Sequence, residues 1–266
     1  MTTLYVAWQD QKSRRWFPVG RLDSARNSVE PRYSFSYVNG AKDAQTLANF
    51  VPLLGFPEFD EIYHSEHLFP VFRNRLMNPR RPDRVEYLHH LGLRDSDWEP
   101  ITELSASKGT SRTDSFEVFP AIEPRAAGWF QTRFILHGLR HTNADSIRRT
   151  ESLQAGDELQ VAFDLNNPAA THAISVRSSD QYVLGWLPRY LVDGLHQDDA
   201  WKVTNVKTTV AQVNLDAPLS HRLLIDFSGK LPPDFRPMED QPQYQPIVSA
   251  APYPTNKSSG KNADTV

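Results

Sequence analysis

Short runs in which apolar and polar residues alternate, divided by turn residues, constrain the fold of this chain more than any other feature. Residues 32–38 read RYSFSYV, so a strand there places Tyr33, Phe35 and Tyr37 on one face and the two serines on the other. Residues 4–8 and 16–22 form two further apolar runs around a charged turn. These patterns predict that the chain begins with antiparallel strands.

Two later stretches carry apolar residues at helical spacing instead. Residues 67–77 (HLFPVFRNRLM) place Leu68, Phe72 and Leu76 on one face, and residues 84–93 follow a similar pattern. Strands followed by helices predict an α+β module over residues 1–122. Its end is set by AIEPRAAG at 121–128, where Pro and Gly separate two apolar runs.

Strand signals dominate the second part of the chain. Turn residues such as Gly156-Asp157 and Asn166-Asn167-Pro168 separate the apolar runs, and residues 188–195 predict one short helix. Many short strands with one helix predict a small β-barrel over residues 130–229. The predicted strands are 132–137, 158–163, 173–177, 182–186, 204–214 and 222–227.

Residues 230–266 differ in composition from the rest of the chain. They are crowded with Pro, Gln, Ser and Asn, which offer little apolar surface to offset the entropy of ordering. The sequence therefore predicts a disordered, Pro-rich C-terminal tail.

Bulk composition limits the classes of function. Hydrophobic residues make up 39% of the 266 residues, and the net charge of −3 offers no global field for nucleic acid. Because there is no cysteine, disulfides and thiolate metal sites are excluded. We expect a cytoplasmic protein without a membrane span, because no signal peptide and no apolar run of about 18 residues is present.

Four ordered segments over some sixty residues resemble the HIRAN domain. They are HGLRHTN at 137–143, LQAGDELQVAFDLNNP at 153–168, HAISV at 172–176 and VLGWLPRYL at 183–191. The resemblance implies a small closed β-barrel with a short helix, which in eukaryotic members grips the 3′ end of single-stranded DNA. Barrels of this kind stack bases on aromatic side chains beside a basic groove.

The resemblance also implies a set of nucleic-acid-binding residues. Two arginines would neutralise phosphate, a tryptophan would offer a stacking face, and two asparagines would form the binding loop. The sequence departs from the family where aromatic residues are expected, at Thr142 and at 169–171. A core role for the tryptophan and a turn role for the asparagines are the alternatives. The implied residues are Arg140, His141, Asn166, Asn167, Trp186 and Arg189.

The charge of this second module is unfavourable for nucleic acid as a whole. Residues 130–229 contain 9 Lys and Arg against 11 Asp and Glu. A nucleic-acid site must therefore be a local patch.

The first module resembles the N-terminal subdomain of HipA-like serine/threonine kinases. The segments are VGRL at 19–22, RYSFSYV at 32–38, LFPVFRNRLM at 68–77, YLHHLGL at 87–93 and ITELSASKGTSRTDSFEVFP at 101–120, with Leu76-Met77 where the family usually has leucine-proline. The resemblance implies a regulatory companion of a separately encoded HipA-like kinase, as in split toxin-antitoxin systems. The candidate partner-binding residues are Phe69, Phe72 and Arg73.

No catalytic signature accompanies these modules. The phosphate-binding loop, metal-binding acids and catalytic aspartate of a phosphoryl-transfer enzyme are not recognisable, and no GxxxxGK[ST] motif occurs. We therefore expect a non-enzymatic binding protein without a cofactor. The alternatives are a stand-alone module that recognises DNA ends and, third, a hydrolase whose site is assembled only in space.

Two further patterns leave alternatives open. The histidines form no HExxH motif, but His64 and His67 lie beside Glu61 and Glu66, as either a helical ligand pair or an exposed polar face. We predict no metal site from these patterns. Residues 73–84 contain five arginines and one acid, Asp83, which suits either an acidic or nucleic-acid partner or a solvated loop.

Overall fold

The structure, a computed structural model, describes residues 1–25, 32–110, 115–168, 172–197 and 200–248. These residues form a mixed α+β fold with two large antiparallel sheets. The α+β class predicted from the sequence is therefore confirmed.

The first sheet has five strands in the order β4-β3-β2-β1-β5, all antiparallel. Buried and half-buried residues alternate along β3, as the sequence predicts, and Tyr33, Phe35 and Tyr37 are all buried. The strands are β1 Thr2–Gln9, β2 Trp16–Ser24, β3 Tyr33–Tyr37, β4 Ile62–Ser65 and β5 Phe116–Pro120.

Four helices accompany this sheet in the described residues. The helix predicted over residues 67–77 is much shorter, because α2 begins at Pro70, which lacks an N–H and fits only the first turn, and ends at Arg73. The helices are α1 Gly40–Ala48, α2 Pro70–Arg73, α3 Arg84–His90 and α4 Pro100–Ser107.

The second sheet has six antiparallel strands in the order β6-β13-β12-β7-β8-β9. It curls so far that its two ends meet, where His137, just after β6, pairs with Trp186 of β9. A small two-stranded ribbon, β10 His196–Gln197 and β11 Ala200–Trp201, lies outside it. The strands of the curled sheet are β6 Trp129–Ile135, β7 Glu158–Asp164, β8 Ala173–Arg177, β9 Val183–Trp186, β12 Thr204–Val213 and β13 Leu223–Lys230.

The prediction of one helix in the second part is wrong. Two α-helices are present, α5 Ala144–Thr150 and α6 Arg189–Leu195. Helix α5 lacks an apolar stripe, so its sequence ADSIRRT carries no periodic signal. It is started instead by Asn143, whose side-chain oxygen accepts a hydrogen bond from the Ser146 N–H at 2.8 Å.

A hydrophobic core lies between the two sheets, and a second one lies among the first sheet and its helices. The ring of Phe119 on β5 stacks on that of Tyr190 on α6, with centroids 4.5 Å apart and planes 9° from parallel. Tyr5 of β1 belongs to the same buried cluster as Ile225 and Phe227 of β13. Burial of this apolar surface holds the curled sheet against the first sheet.

The C-terminal segment corrects the prediction of a disordered tail. Residues 231–248 pack on the fold: Met238 is fully buried, Tyr244 contacts the ring of Tyr5 at 4.9 Å between centroids, and Pro246 forms a β-bridge with Val38, just after β3. A few well-spaced apolar residues outweigh the Pro- and Gln-rich composition. Residues 249–266 lie outside the described residues.

Within the described residues, no helix combines the length and apolar character that a membrane crossing requires.

Candidate nucleic-acid interface

The candidate site lies where the two ends of the curled sheet meet. His137 and Trp186 exchange backbone hydrogen bonds, with N···O distances of 3.3 Å and 2.9 Å. The chain then turns through a short 3₁₀ helix, Leu139–His141, and enters α5. This closure brings the loop after β6 beside the β8–β9 hairpin, although some 45 residues separate them in sequence.

Two glycines permit this close approach. Gly138 has φ of 80°, and a Cβ there would lie 2.6 Å from Cε3 of Trp186. A Cβ at Gly185 would lie 2.3 Å from the carbonyl oxygen of His137. Only a residue without a side chain fits either position, so the indole of Trp186 rests directly on the backbone of the loop.

The indole of Trp186 is also held at its polar edge. Its Nε1 donates to Asp164 Oδ2 at 2.9 Å, and Asn167 Nδ2 donates to the same oxygen at 3.0 Å. The hydrogen bonds from Asn167 and Trp186 lower the pKa of Asp164. The turn that contains Asn166 and Asn167 is thereby connected to the tryptophan, with Asn166 exposed.

A cleft of about 370 Å³ opens beside Trp186. We call it the Trp186 cleft. The tryptophan is half-buried, and Tyr182 is 38% exposed, so both offer aromatic surface to a ligand. The remaining lining is largely polar and comes from the start of α5 and the β8–β9 hairpin: His141, Thr142, Asn143, Ser146, Gln181 and Val183.

Arg140 supplies positive charge next to this cleft. It is exposed, and its Nε donates to His141 Nε2 at 3.0 Å. In the described part of the chain, no carboxylate lies within ion-pair distance of Arg140. Arg149, by contrast, is paired with Asp180 at 2.9 Å, and Arg148 with Asp145. Arg140 can therefore neutralise an incoming anion without giving up an ion pair.

Arg189 is placed differently from the other implied residues. It opens α6 and does not line the Trp186 cleft. Its charge acts on Asp193 one turn later, whose pKa is raised by burial and lowered in part by Arg189 and His172. The structure thus brings His141 and Trp186 together, with Arg140 and Asn167 adjacent, and leaves Arg189 on a separate helix.

The three predicted partner-binding residues differ in their exposure to solvent. Phe72 is fully buried in the core of the first sheet, beside Phe35 and Phe56, so its side chain offers no exposed surface to a partner. Phe69 is half-buried, and Arg73 is exposed and lines a groove of about 570 Å³ beside Trp98. The role of these two residues stays a prediction.

The arginine-rich stretch is only partly solvated. The guanidinium of Arg75 lies 3.3 Å from the centre of the Phe116 ring, and that of Arg84 lies 4.7 Å from the ring of Trp98. Arg84 is buried with Glu103 at 3.7 Å. These two arginines hold the fold together. The reading of the whole stretch as a solvated loop is therefore wrong.

The histidine pair singled out in the sequence does not form a helical ligand pair. His64 lies on strand β4, and His67 lies after its end, because the segment before Pro70 is not helical. Among the described residues, Glu86, His90 and Asp216 are the one group of three side chains placed closely enough to hold a metal ion.

Several residues of the cleft are missed by sequence reasoning. Asn143 and Ser146 form an N-cap pair three residues apart, which is a detectable helix-start signal directly after the HGLRHT segment. Gln181 and Tyr182 belong to a hairpin turn, and Gln181 has φ of 72°. No sequence pattern connects that turn with α5, because only the closure of the sheet brings them together.

Two solved structures are similar to part of this chain. No family model and no curated protein matches the chain. A crystal structure of a protein from Lactobacillus plantarum is 17% identical over 38% of this chain and 92% of that protein, with a TM-score of 0.29. The HIRAN domain of human HLTF is 19% identical over 39% of this chain and 77% of that domain, with a TM-score of 0.27.

Proposed function

We propose that this protein binds the ends of single-stranded DNA in the Trp186 cleft and catalyses no reaction on them. The observation that carries the proposal is a cleft lined by two aromatic side chains and polar groups, next to Arg140, which has no carboxylate within ion-pair distance among the described residues. A volume of about 370 Å³ is at the small end for ligand sites, which suits one terminal nucleotide.

The aromatic surface would provide the stacking contact. Stacking of a base on an aromatic side chain contributes about 1–3 kcal/mol and tolerates any base. Trp186 is already fixed by Asp164 at one edge and by Gly138 beneath its ring. Little side-chain entropy is therefore lost when a base stacks on it.

Arg140 would provide the phosphate contact. A single strand that loses one or two counterions on binding gives a plot of log affinity against log salt with a slope of about −0.7 to −1.4. The acidic excess of residues 130–229 limits the number of such contacts. Moderate affinity and a shallow salt dependence therefore follow from one arginine and a largely neutral cleft.

The test is fluorescence anisotropy with a 5′-labelled single strand, carrying either a free 3′ hydroxyl or a 3′ phosphate, across a salt series. We expect tighter binding of the free end and a loss of at least about tenfold in Arg140→Ala, because a charge-assisted contact contributes about 1.5–3 kcal/mol. The matched control is Arg125→Ala, an equal charge change at an exposed arginine outside the cleft.

Equal losses of affinity in Arg140→Ala and Arg125→Ala would show that binding depends only on overall positive charge. That result would contradict binding in the Trp186 cleft. Absence of binding at low salt would leave the companion-subunit hypothesis, which rests on the HipA-like resemblance and on Phe69 and Arg73. That hypothesis predicts a complex with a HipA-like kinase that Arg140→Ala leaves intact and Arg73→Ala weakens.

A further inference from the structure

Helix α3 lies against the end of the β12–β13 hairpin, far from the Trp186 cleft in sequence. Leu91, just after α3, forms a small buried cluster with Ile135 of β6 and Leu224 of β13. Gly92 packs so closely on Leu224 that a Cβ would lie 2.5 Å from its Cδ2. The helix belongs to the first α+β part, and the hairpin belongs to the curled sheet.

Two amide side chains fix this contact. Gln212 Nε2 donates to the carbonyl of His89 at 2.8 Å, and Asn214 Nδ2 donates to the carbonyl of His90 at 3.0 Å. Both carbonyls lie at the C-terminal end of α3, where the His89 carbonyl also accepts from the Gly92 N–H at 2.8 Å. The position of His90 relative to the hairpin loop is therefore set by the fold.

Three metal-ligating side chains meet at this junction. His90 is buried, Glu86 precedes it by four residues on the same helix face, and Asp216 comes from the hairpin loop. The Nε2 atom of His90 lies 3.3 Å from Asp216 Oδ1 and 4.0 Å from Glu86 Oε1. One ligand atom from each of the three residues lies within 4.8 Å of the others.

We propose that Glu86, His90 and Asp216 bind one divalent transition-metal ion of the zinc type, which ties α3 to the β12–β13 hairpin. One imidazole nitrogen and two carboxylate oxygens are a donor set that such ions accept, with water completing the coordination. Metal–ligand bonds of about 2.0–2.2 Å at tetrahedral angles place ligand atoms about 3.3 Å apart.

The observed separations need only small movements to reach that value. His90 Nε2 and Asp216 Oδ1 already lie 3.3 Å apart, and the side chain of Glu86 is 58% exposed and can rotate. Two ionised carboxylates directed at one point repel each other, and a cation bound between them removes that repulsion. A metal ion held by all three side chains would be that cation.

The test is calorimetric titration of the full-length, chelator-treated protein with ZnCl₂, accompanied by thermal unfolding with Zn²⁺ or Mg²⁺. We expect one ion per chain, and a higher unfolding temperature with Zn²⁺ but not with Mg²⁺. Glu86→Gln and Asp216→Asn change only exposed carboxylates, so both variants should fold. They should lose affinity by more than about 100-fold, since even outer-shell changes cost 10–100-fold.

The control is His67→Gln, which removes an exposed histidine elsewhere and should bind zinc like the wild type. Equal zinc affinity in the wild type, Glu86→Gln and Asp216→Asn would overturn the proposal and assign binding to scattered histidines. Absence of any zinc effect on the folded wild type would also overturn it. The zinc proposal does not rest on DNA binding in the Trp186 cleft.

Discussion

At the scale of single residues, Lys108 is the most unusual group in the core. Its ammonium nitrogen is buried without a hydrogen-bond partner among the described residues and lies 5.9 Å from the centre of the Tyr190 ring. Burial lowers the pKa of Lys108 from 10.5 to about 8, opposed in part by Glu117. At pH 7 the lysine is charged in both states, so folding carries the cost of burying that charge.

We predict that Lys108→Met stabilises the protein by about 1–3 kcal/mol at pH 7, measured as the free energy of unfolding in urea. Because the unfolded chain keeps the Lys108 proton up to a higher pH than the folded chain, wild-type stability rises between pH 8 and 10.5 relative to the variant. The difference between the two should therefore shrink across that window. Lys42→Met, at an exposed position of α1, should change little. A Lys108→Met variant less stable than the wild type would contradict the claim that the buried ammonium group destabilises the fold.

Adding a single methyl group at Gly138 tests the contact between its backbone and the indole of Trp186. Gly138→Ala adds both the strain of a positive φ and a methyl group 2.6 Å from Trp186 Cε3, whereas Gly156→Ala, at φ of 96°, meets no atom within 4 Å. We expect Gly138→Ala to cost about 1–3 kcal/mol more than Gly156→Ala in the free energy of unfolding. Equal costs in the two variants would show that the indole does not rest on Gly138.

At the scale of elements, α5 depends on its N-cap for both stability and binding. Asn143→Ala should lower the free energy of unfolding by about 0.5–2 kcal/mol, because the Ser146 N–H loses its acceptor. Asn143→Asp should keep the cap and the stability but weaken binding of a single strand, since it places a negative charge in the Trp186 cleft. Thermal unfolding and anisotropy, measured on both variants, separate the two effects.

The sequence predicts elements well where burial is periodic. Strand β8 has the bounds expected from its apolar run, and β3 buries the aromatic residues that its alternation selects. The polar helix α5 is missed because its stability comes from a cap and from packing at Ser146 and Thr150, and not from an apolar stripe. The segment around Pro70 is the opposite case. Its apolar spacing predicts a helix over residues 67–77, but α2 begins only at Pro70, which lacks a backbone N–H.

The site is less predictable than the fold because its parts are joined only by tertiary closure. His141 and Trp186 are found through a family resemblance, whereas Tyr182 has no local signal beyond an exposed aromatic ring. Only part of the proposed metal site could be found from the sequence. Glu86 and His90 are four residues apart on a predicted helix, so they share one helix face. Asp216 lies 126 residues beyond His90, and no spacing rule connects them.

At the scale of the whole molecule, the C-terminal segment joins the two sheets. Leu231, Phe235, Met238 and Tyr244 are all buried, and Gln241 donates to the carbonyls of Asp193 and His196. We predict that truncation after Lys230 destabilises the protein by several kcal/mol, because each such side chain contributes about 1.5–3 kcal/mol on burial. Truncation after Val248 keeps every one of these contacts and should leave the unfolding temperature unchanged. An equal effect of both truncations would contradict this packing.

The most direct test of the proposed function maps where a single strand contacts the protein. Hydrogen–deuterium exchange of the full-length protein, with and without an oligonucleotide bearing a free 3′ hydroxyl, gives this map in one experiment. We predict protection at residues 138–146 and 181–186, the two segments that form the Trp186 cleft. Protection confined to residues 73–84, or spread evenly over the surface, would show that DNA binds elsewhere and would contradict the assignment of the cleft.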